Sequence, residues 1–276
     1  MQEEETEEPP SKKQRQESPS LTFRVSCKCA GRAGKRIQSQ VLGARLGALI
    51  SSKFGLKADL RRPSLEVSVH LNDESLVIGL PVSKIPLSSR SYIRTSGLRS
   101  TVAWTLARLA EIKAGNIVLD PMCGTASILI EAAMEWKDAF YIGSDVSSSQ
   151  LEIASTNVLF AGTSNVHLLQ TDATDLSLLG ASSIDRVICD MPFGLQHGSQ
   201  ELIRELYPAF AQELCKIMSL DGRVVLLSSL ENKSFLIKTI ENTDTFVVHD
   251  THQMSLGDLQ AVAVVLIRKC NTEFVL

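Results

Sequence analysis

Four apolar runs between residues 116 and 190 of this 276-residue chain each end on an aspartate, and that pattern constrains its fold more than any other feature. The runs are NIVLD (to Asp120), FYIGSD (to Asp145), VHLLQTD (to Asp172) and DRVICD (to Asp190). Segments of helical period at 126–136, 149–161 and 200–218 separate or follow them. Strands that alternate with helices predict a mostly parallel, doubly wound Rossmann-like α/β sheet, because parallel neighbours need a crossover long enough to hold a helix. GRVVLLSS, a helix over 231–241, FVVHDTHQ and QAVAVVLIRK complete the series. The short connection between the last two, with Gly257, predicts an antiparallel pair at one edge.

Charge divides the chain. Residues 1–20 hold six Glu against Lys12, Lys13 and Arg15. Residues 21–113 hold 16 Lys and Arg against five Asp and Glu, whereas residues 114–276 hold nine against 20. A basic part joined to an acidic part predicts a polyanion-binding module attached to a module with another task. The domain reading is a disordered, Glu-, Pro- and Ser-rich tail over 1–20, a small α+β module over 21–85, a junction and linker helix over 86–113, and the large α/β domain over 114–276. In the small module, LTFRVSCK reads as a strand, Arg36 to Phe54 as a helix stopped by Gly55, and LEVSVHL with SLVIGLP as a hairpin. About 65 residues is near the lower limit for independent stability, so this module is expected to need a surface to pack on.

In open α/β sheets ligands lie at the carboxyl ends of the strands. A single Asp there is usually a turn or a helix cap; four in succession are harder to explain that way. Asp120 opens VLDPMCGTAS, a strand, a Gly-containing turn and a helix without the G-x-G-x-x-G of a dinucleotide loop. A carboxylate at this point repels a pyrophosphate and attracts the sulfonium and ammonium of S-adenosylmethionine. Asp145 is placed for ribose hydroxyls, and Asp172 lies beside the adenine pocket. Asp190-Met191-Pro192-Phe193 suits methylation of an exocyclic amine. The Asp190 carboxylate and Met191 carbonyl accept hydrogen bonds from the amine, Pro192 fixes φ and removes a donor, and Phe193 offers a face to a flipped-out base.

These residues carry a resemblance. DPMCG, the SD of the second strand, the TDA of the third and DMPFG resemble the THUMP-associated RNA guanine-N2 methyltransferases, as do FRVSCK, FGLKADLRRP and SYIRTSGLRST in the basic part. The resemblance implies transfer of a methyl group from S-adenosylmethionine to guanosine N2 in a structured small RNA, either tRNA or U6 spliceosomal RNA, in the nucleus or cytoplasm. It also implies a small zinc-binding activator, the tRNA methyltransferase 112 subunit, docked on the sheet edge. The cofactor residues implied are Asp120, Pro121, Cys123, Gly124, Asp145, Asp172, Ala173 and Asp190, with Arg99 closing the site. Asp190, Pro192 and Phe193 are the catalytic set, and Lys53, Lys57, Arg61, Arg62 and Arg94 the RNA contacts.

Two departures stand out. The family loop reads D-P-x-C-G-x-G-T, and here Ala126 and Ser127 take its last two places. Were the second glycine there to supply φ > 0, Ala126 would cost roughly 1 kcal/mol or more. A full THUMP module also has more sequence before its second part than the 20 residues preceding Leu21. A catalytically weak or inactive RNA-binding relative is therefore the competing expectation. Cys27 and Cys29, Cys123 and Cys189 are expected to be reduced packing thiols of an intracellular protein, with no metal site. His197, His249 and His252 are given no role. The first residues do not read as a secretory signal, and the longest apolar runs are too short to span a bilayer.

Overall fold

The computed structural model describes residues 21–83, 85–95, 97–194 and 200–269, so the N-terminal tail and His197 lie outside the described residues. The chain divides between Ile85 and Pro86 into two compact units.

The first unit is a four-stranded sheet in the order β2-β1-β3-β4, formed by β1 (Thr22–Cys29), β2 (Lys57–Ala58), β3 (Leu65–Leu71) and β4 (Leu76–Gly79). β1 pairs in parallel with β2 and β3, and β3 pairs antiparallel with β4 as the expected hairpin. A short helix, α1 (Gly31–Arg36), which periodicity did not reveal, precedes α2 (Ser39–Phe54), and α2 ends at Gly55 in the left-handed conformation. Among the described residues of this unit, Phe23 on β1 and Val69 on β3 are the buried apolar ones. Cys27 and Cys29 share a face of β1, and among the described residues no group of His, Cys, Asp or Glu could hold a metal ion.

The second unit is a seven-stranded sheet ordered β10-β11-β9-β8-β5-β6-β7. Its strands are β5 (Ile117–Asp120), β6 (Phe140–Asp145), β7 (Val166–Gln170), β8 (Ile184–Asp190), β9 (Met218–Ser229), β10 (Phe246–Leu256) and β11 (Leu259–Arg268). β7 through β9 run parallel, while β11 is antiparallel to both β9 and β10, so the last two strands do form an antiparallel edge. Alternate strand residues feed two cores, as the two-residue period of a sheet buried on both faces requires. Val225 and Leu227 join α3 (Ser100–Leu109), α4 (Ser127–Glu135) and α5 (Ser148–Ala161), whereas Val224 and Leu226 join α6 (Gln200–Ile217) and α7 (Lys233–Glu241). No described helix is long and apolar enough to cross a membrane.

Candidate active site

β5, β6 and β8 each end on the expected carboxylate, and their registers bring the three ends to one edge of the sheet. Asp120 is almost wholly buried, and burial, reinforced by the charges of Asp190 and Asp145, pushes its carboxyl well above the usual range. Burial likewise pushes Asp190 up to about 7. Among the described residues no Lys or Arg pairs with any of the three, and the Asp190 carboxyl makes no hydrogen bond. Buried carboxyls without a cation are costly, which marks this edge as shaped for a ligand that brings positive charge or N–H donors.

The remaining cofactor candidates differ in what they offer. Asp145 is already engaged: Oδ2 accepts the Gly124 N–H at 2.9 Å and Oδ1 the Ser147 N–H at 2.9 Å. Each oxygen keeps a second lone pair for a ligand. Asp172 corrects the strand reading, because β7 stops at Gln170 and Asp172 lies two residues beyond it. It is exposed, and its Oδ1 accepts the N–H and hydroxyl of Thr174, both at 2.8 Å, so its first task is to hold a turn. Pro121, Cys123 and Ala173 are buried, and the Cys123 N–H and carbonyl are already paired with the Ser144 carbonyl at 2.8 Å and the Ala126 N–H at 2.7 Å, so these residues shape the turn. Burial pushes the Cys123 and Cys189 thiols up, as fits packing thiols. The glycine-replacing Ala126 stands at φ 63, ψ 23 and is fully buried. The left-handed backbone is thus retained although its methyl disfavours it.

The turn after β8 is held from both sides. Met191 is in the core, and its N–H donates to the Leu227 carbonyl at 2.9 Å. The Tyr207 hydroxyl donates to the Pro192 carbonyl at 2.9 Å and also contacts the Ser228 hydroxyl. Asn232 Nδ2 donates to the Phe193 carbonyl at 3.3 Å. Phe193 is partly buried against the core, so only part of its ring is free to meet a base.

Sequence reasoning missed the groups that strap the segment before α3 across the β5–α4 turn. Asn157 is fully buried on α5. Its Oδ1 accepts the Thr95 N–H at 2.9 Å, and its Nδ2 donates to the carbonyls of Thr95 and Thr125 at 2.8 and 3.0 Å. Gly97 lies so close that an added Cβ would stand 2.3 Å from Thr125 Oγ1. The buried Glu131 receives Arg90 Nε at 3.1 Å and the Tyr92 hydroxyl at 3.0 Å, and the burial of Tyr92, reinforced by the Glu131 charge, pushes the Tyr92 hydroxyl up to about 12. Arg90 is therefore spent on Glu131 and is not a spare cation. Arg94 and Arg99 are exposed.

In the first unit Lys53, Lys57, Arg61 and Arg62 are all exposed. Asp59 Oδ1 accepts the N–H groups of Arg61 and Arg62, both at 2.9 Å, which fixes the turn that presents the two arginines. His249 and His252 lie on β10, where His252 pairs with Asp250, away from the carboxylate ends.

A mostly parallel sheet with this strand order, a Gly-turn-helix after its first strand and carboxylates that meet no Lys or Arg among the described residues at its carboxyl edge fit a Rossmann-like methyltransferase domain. A family model described as "UPF0020: RMKL-like, methyltransferase domain" matches residues 88–261, and the chain belongs to that family. U6 snRNA (guanine-N(2))-methyltransferase THUMPD2 of Homo sapiens is 44% identical over 233 residues, covering 84% of this chain and 45% of the relative. tRNA (guanine(6)-N2)-methyltransferase of Thermus thermophilus is 32% identical over 213 residues, covering 75% and 62%. Among solved structures, TrmN from Thermus thermophilus superposes with a TM-score of 0.73 at 26% identity, covering 91% of this chain and 73% of that one. The chain thus spans less than half the length of the human relative.

Proposed function

We propose that the chain uses S-adenosylmethionine to methylate the exocyclic N2 of a guanosine in a structured small RNA, U6 small nuclear RNA or tRNA. The observation that carries this reading is the Asp190 carboxyl, half-buried and without a partner among the described residues, at the head of a turn anchored by Tyr207 and Asn232. The names of the relatives agree with it.

The residues present fit the cofactor. Asp120 and Asp145 supply acceptor oxygens for its cationic and hydroxyl groups, and positive charge arriving beside Asp120 favours the ionised form that burial disfavours. The backbone of 121–124, with Gly124 at φ 50, gives a tight turn, and a Cβ at Gly124 would meet only the end of Gln150, at 4.0 Å; Asp172, Ala173 and Arg99 complete the proposed set. When bound, S-adenosylmethionine supplies an electrophilic methyl carbon with a neutral thioether as leaving group. Ionised Asp190 and the Met191 carbonyl accept from the amine and aim its lone pair, while Pro192 keeps the turn fixed and Phe193 stacks on the base. Asp190 then takes the amine proton or passes it to water, and most of the acceleration comes from orientation and charge placement.

RNA contact is assigned to Lys53, Lys57, Arg61, Arg62 and Arg94 through phosphates. For the activator subunit, the supporting observation is that β7 is a sheet edge flanked by exposed Phe140, Leu159 and Phe160. A U6 substrate fits a nuclear location and a tRNA substrate either compartment. The alternative, an RNA-binding relative with weak cofactor affinity, draws support from Ala126.

Calorimetric titration of S-adenosylmethionine into the chain, alone and with the activator, is the deciding test, followed by methyl transfer to U6 and tRNA transcripts. Micromolar binding weakened in Asp145→Asn, with N2-methylguanosine as product, supports the enzyme. Absence of binding in both states favours the RNA-binding relative.

A further inference from the structure

We infer that Lys233, the first residue of α7, binds a backbone phosphate of the substrate and holds its strand beside the Asp190 turn. That the phosphate belongs to RNA rests on the reading proposed above. The domain around Asp190 is acidic, with nine Lys and Arg against 20 Asp and Glu over residues 114–276. Its buried carboxyls gather at the edge to which a guanosine must come, and an acidic field there repels the phosphates that flank the guanosine. A polyanion needs a compensating cation at that place.

Most of the nine cations stand elsewhere. Arg186 and Arg223 pair across β8 and β9 near the amino edge of the sheet, and Lys216 and Lys238 lie in the last turns of α6 and α7, which lead back to that edge. Lys137 precedes β6, and Arg268 and Lys269 close β11 beside the start of β10. Toward the carboxyl edge there remain Arg204, exposed in the second turn of α6, and Lys233.

Lys233 is held in place. Asn232, the residue before it, is only 5% exposed and donates from Nδ2 to the Phe193 carbonyl at 3.3 Å, which ties the start of α7 to the turn that carries Asp190. Lys233 itself is partly buried, and its ammonium donates to the Thr251 hydroxyl at 3.3 Å. Among the described residues no carboxylate pairs with it: Asp250 is taken by His252, and Glu231 is exposed. Two of its three donors are left for outside oxygens. An ammonium drawn partly out of water with only a hydroxyl to meet it adds little to the fold, and it fits a charge kept for an anion. Thr251 lies opposite Val264, Val264 opposite Leu226, and Leu226 opposite Cys189, the residue before Asp190. Three strand spacings therefore put Thr251 roughly 14 Å from Cys189. That is too far to touch the target base and suits a phosphate on the strand beside it.

The test uses the full chain with Lys233→Gln, Lys233→Arg and, at the far end of the same helix, Lys238→Gln as a control. The readouts are methyl transfer to U6 and tRNA transcripts, transcript binding over a salt series, and S-adenosylhomocysteine affinity. Lys233→Gln should raise KM for RNA about three- to tenfold with little change in kcat, and make the slope of log affinity against log salt shallower by about one. S-adenosylhomocysteine should bind as before, Lys233→Arg should recover most of the loss, and Lys238→Gln should match the wild type. Wild-type KM and salt slope in Lys233→Gln overturn the proposal. A parallel loss of cofactor affinity and melting temperature overturns it too, because the lysine then serves the fold. So does lost activator binding with an unchanged RNA slope, which marks a protein contact. If the wild type binds no cofactor and transfers no methyl group, the enzyme reading fails, and the salt slope of RNA binding alone decides Lys233.

Discussion

The hydroxyl of Tyr207, buried on α6, reaches the carbonyl of Pro192 at 2.9 Å and so fixes the turn that carries Asp190. Tyr207→Phe keeps the ring and deletes one donor. The cost in stability is expected to be about 1–2 kcal/mol, since the Pro192 carbonyl loses its partner. Turnover should fall severalfold while S-adenosylhomocysteine affinity stays within twofold. An equal loss in both would show that the tyrosine supports the fold rather than the turn.

The raised Asp190 makes a prediction with a definite sign. A carboxylate is needed to accept from the amine, so kcat/KM should rise with pH and level off above about 7. A flat profile between pH 5.5 and 8 would contradict the assigned role.

The same group should work against the fold at neutral pH. Its folded pKa lies above its unfolded value of 3.8, so the native state binds the extra proton between them. That contribution to stability is fully present below the unfolded value and is lost as pH rises through about 7, by an amount on the order of 4 kcal/mol at most. Asp190→Asn cannot ionise. Urea melts at pH 5 and pH 8 should show the variant gaining on the wild type at the higher pH even as methyl transfer disappears.

Ala126 sets three effects against each other. Relief of the left-handed strain in Ala126→Gly gains about 1–2 kcal/mol. The lost buried methyl costs about 0.8 kcal/mol and the freer unfolded chain about 0.4–1 kcal/mol. Stability should therefore change by less than about 1 kcal/mol. Ala126→Val, with a branched side chain at φ 63 in a closed site, should lose about 2–3 kcal/mol or more. Thermal melts of the two variants check both statements.

Asn157→Ala strips partners from the Thr95 N–H and from the Thr95 and Thr125 carbonyls at once. A loss of about 2–4 kcal/mol in chemical denaturation is expected. Cofactor affinity should drop with it, because the Thr125 carbonyl belongs to the turn that follows Asp120.

How much of this could be read from the chain itself depended on the range of the interaction. Asp120, Asp145 and Asp190 were legible because strand ends and turn chemistry are local, and the alternation of elements fixed the edge on which they meet. Asp172 was misplaced by two residues because its turn, closed on Thr174, looks in sequence like the end of the strand. β2 pairs only through Lys57 and Ala58, too short a run to show any period. Asn157, Glu131 and Tyr207 were not legible, since each acts on backbone or side chains 15–62 positions away, which no local pattern reports. Position 126 fell between: the family glycine signalled φ > 0, and the structure holds alanine in that conformation.

The strand order also sets when the carboxylate edge can exist. β5 lies between β6, which follows it closely, and β8, which is separated from it by 64 positions, and β8 in turn needs β9. During synthesis, Asp120 and Asp145 can be neighbours while Asp190 is still being made, and the long loop must close before it joins them. Until then a nascent chain presents the apolar flank of β5 without its partner, and that interval is when it is most exposed to mispairing with other chains.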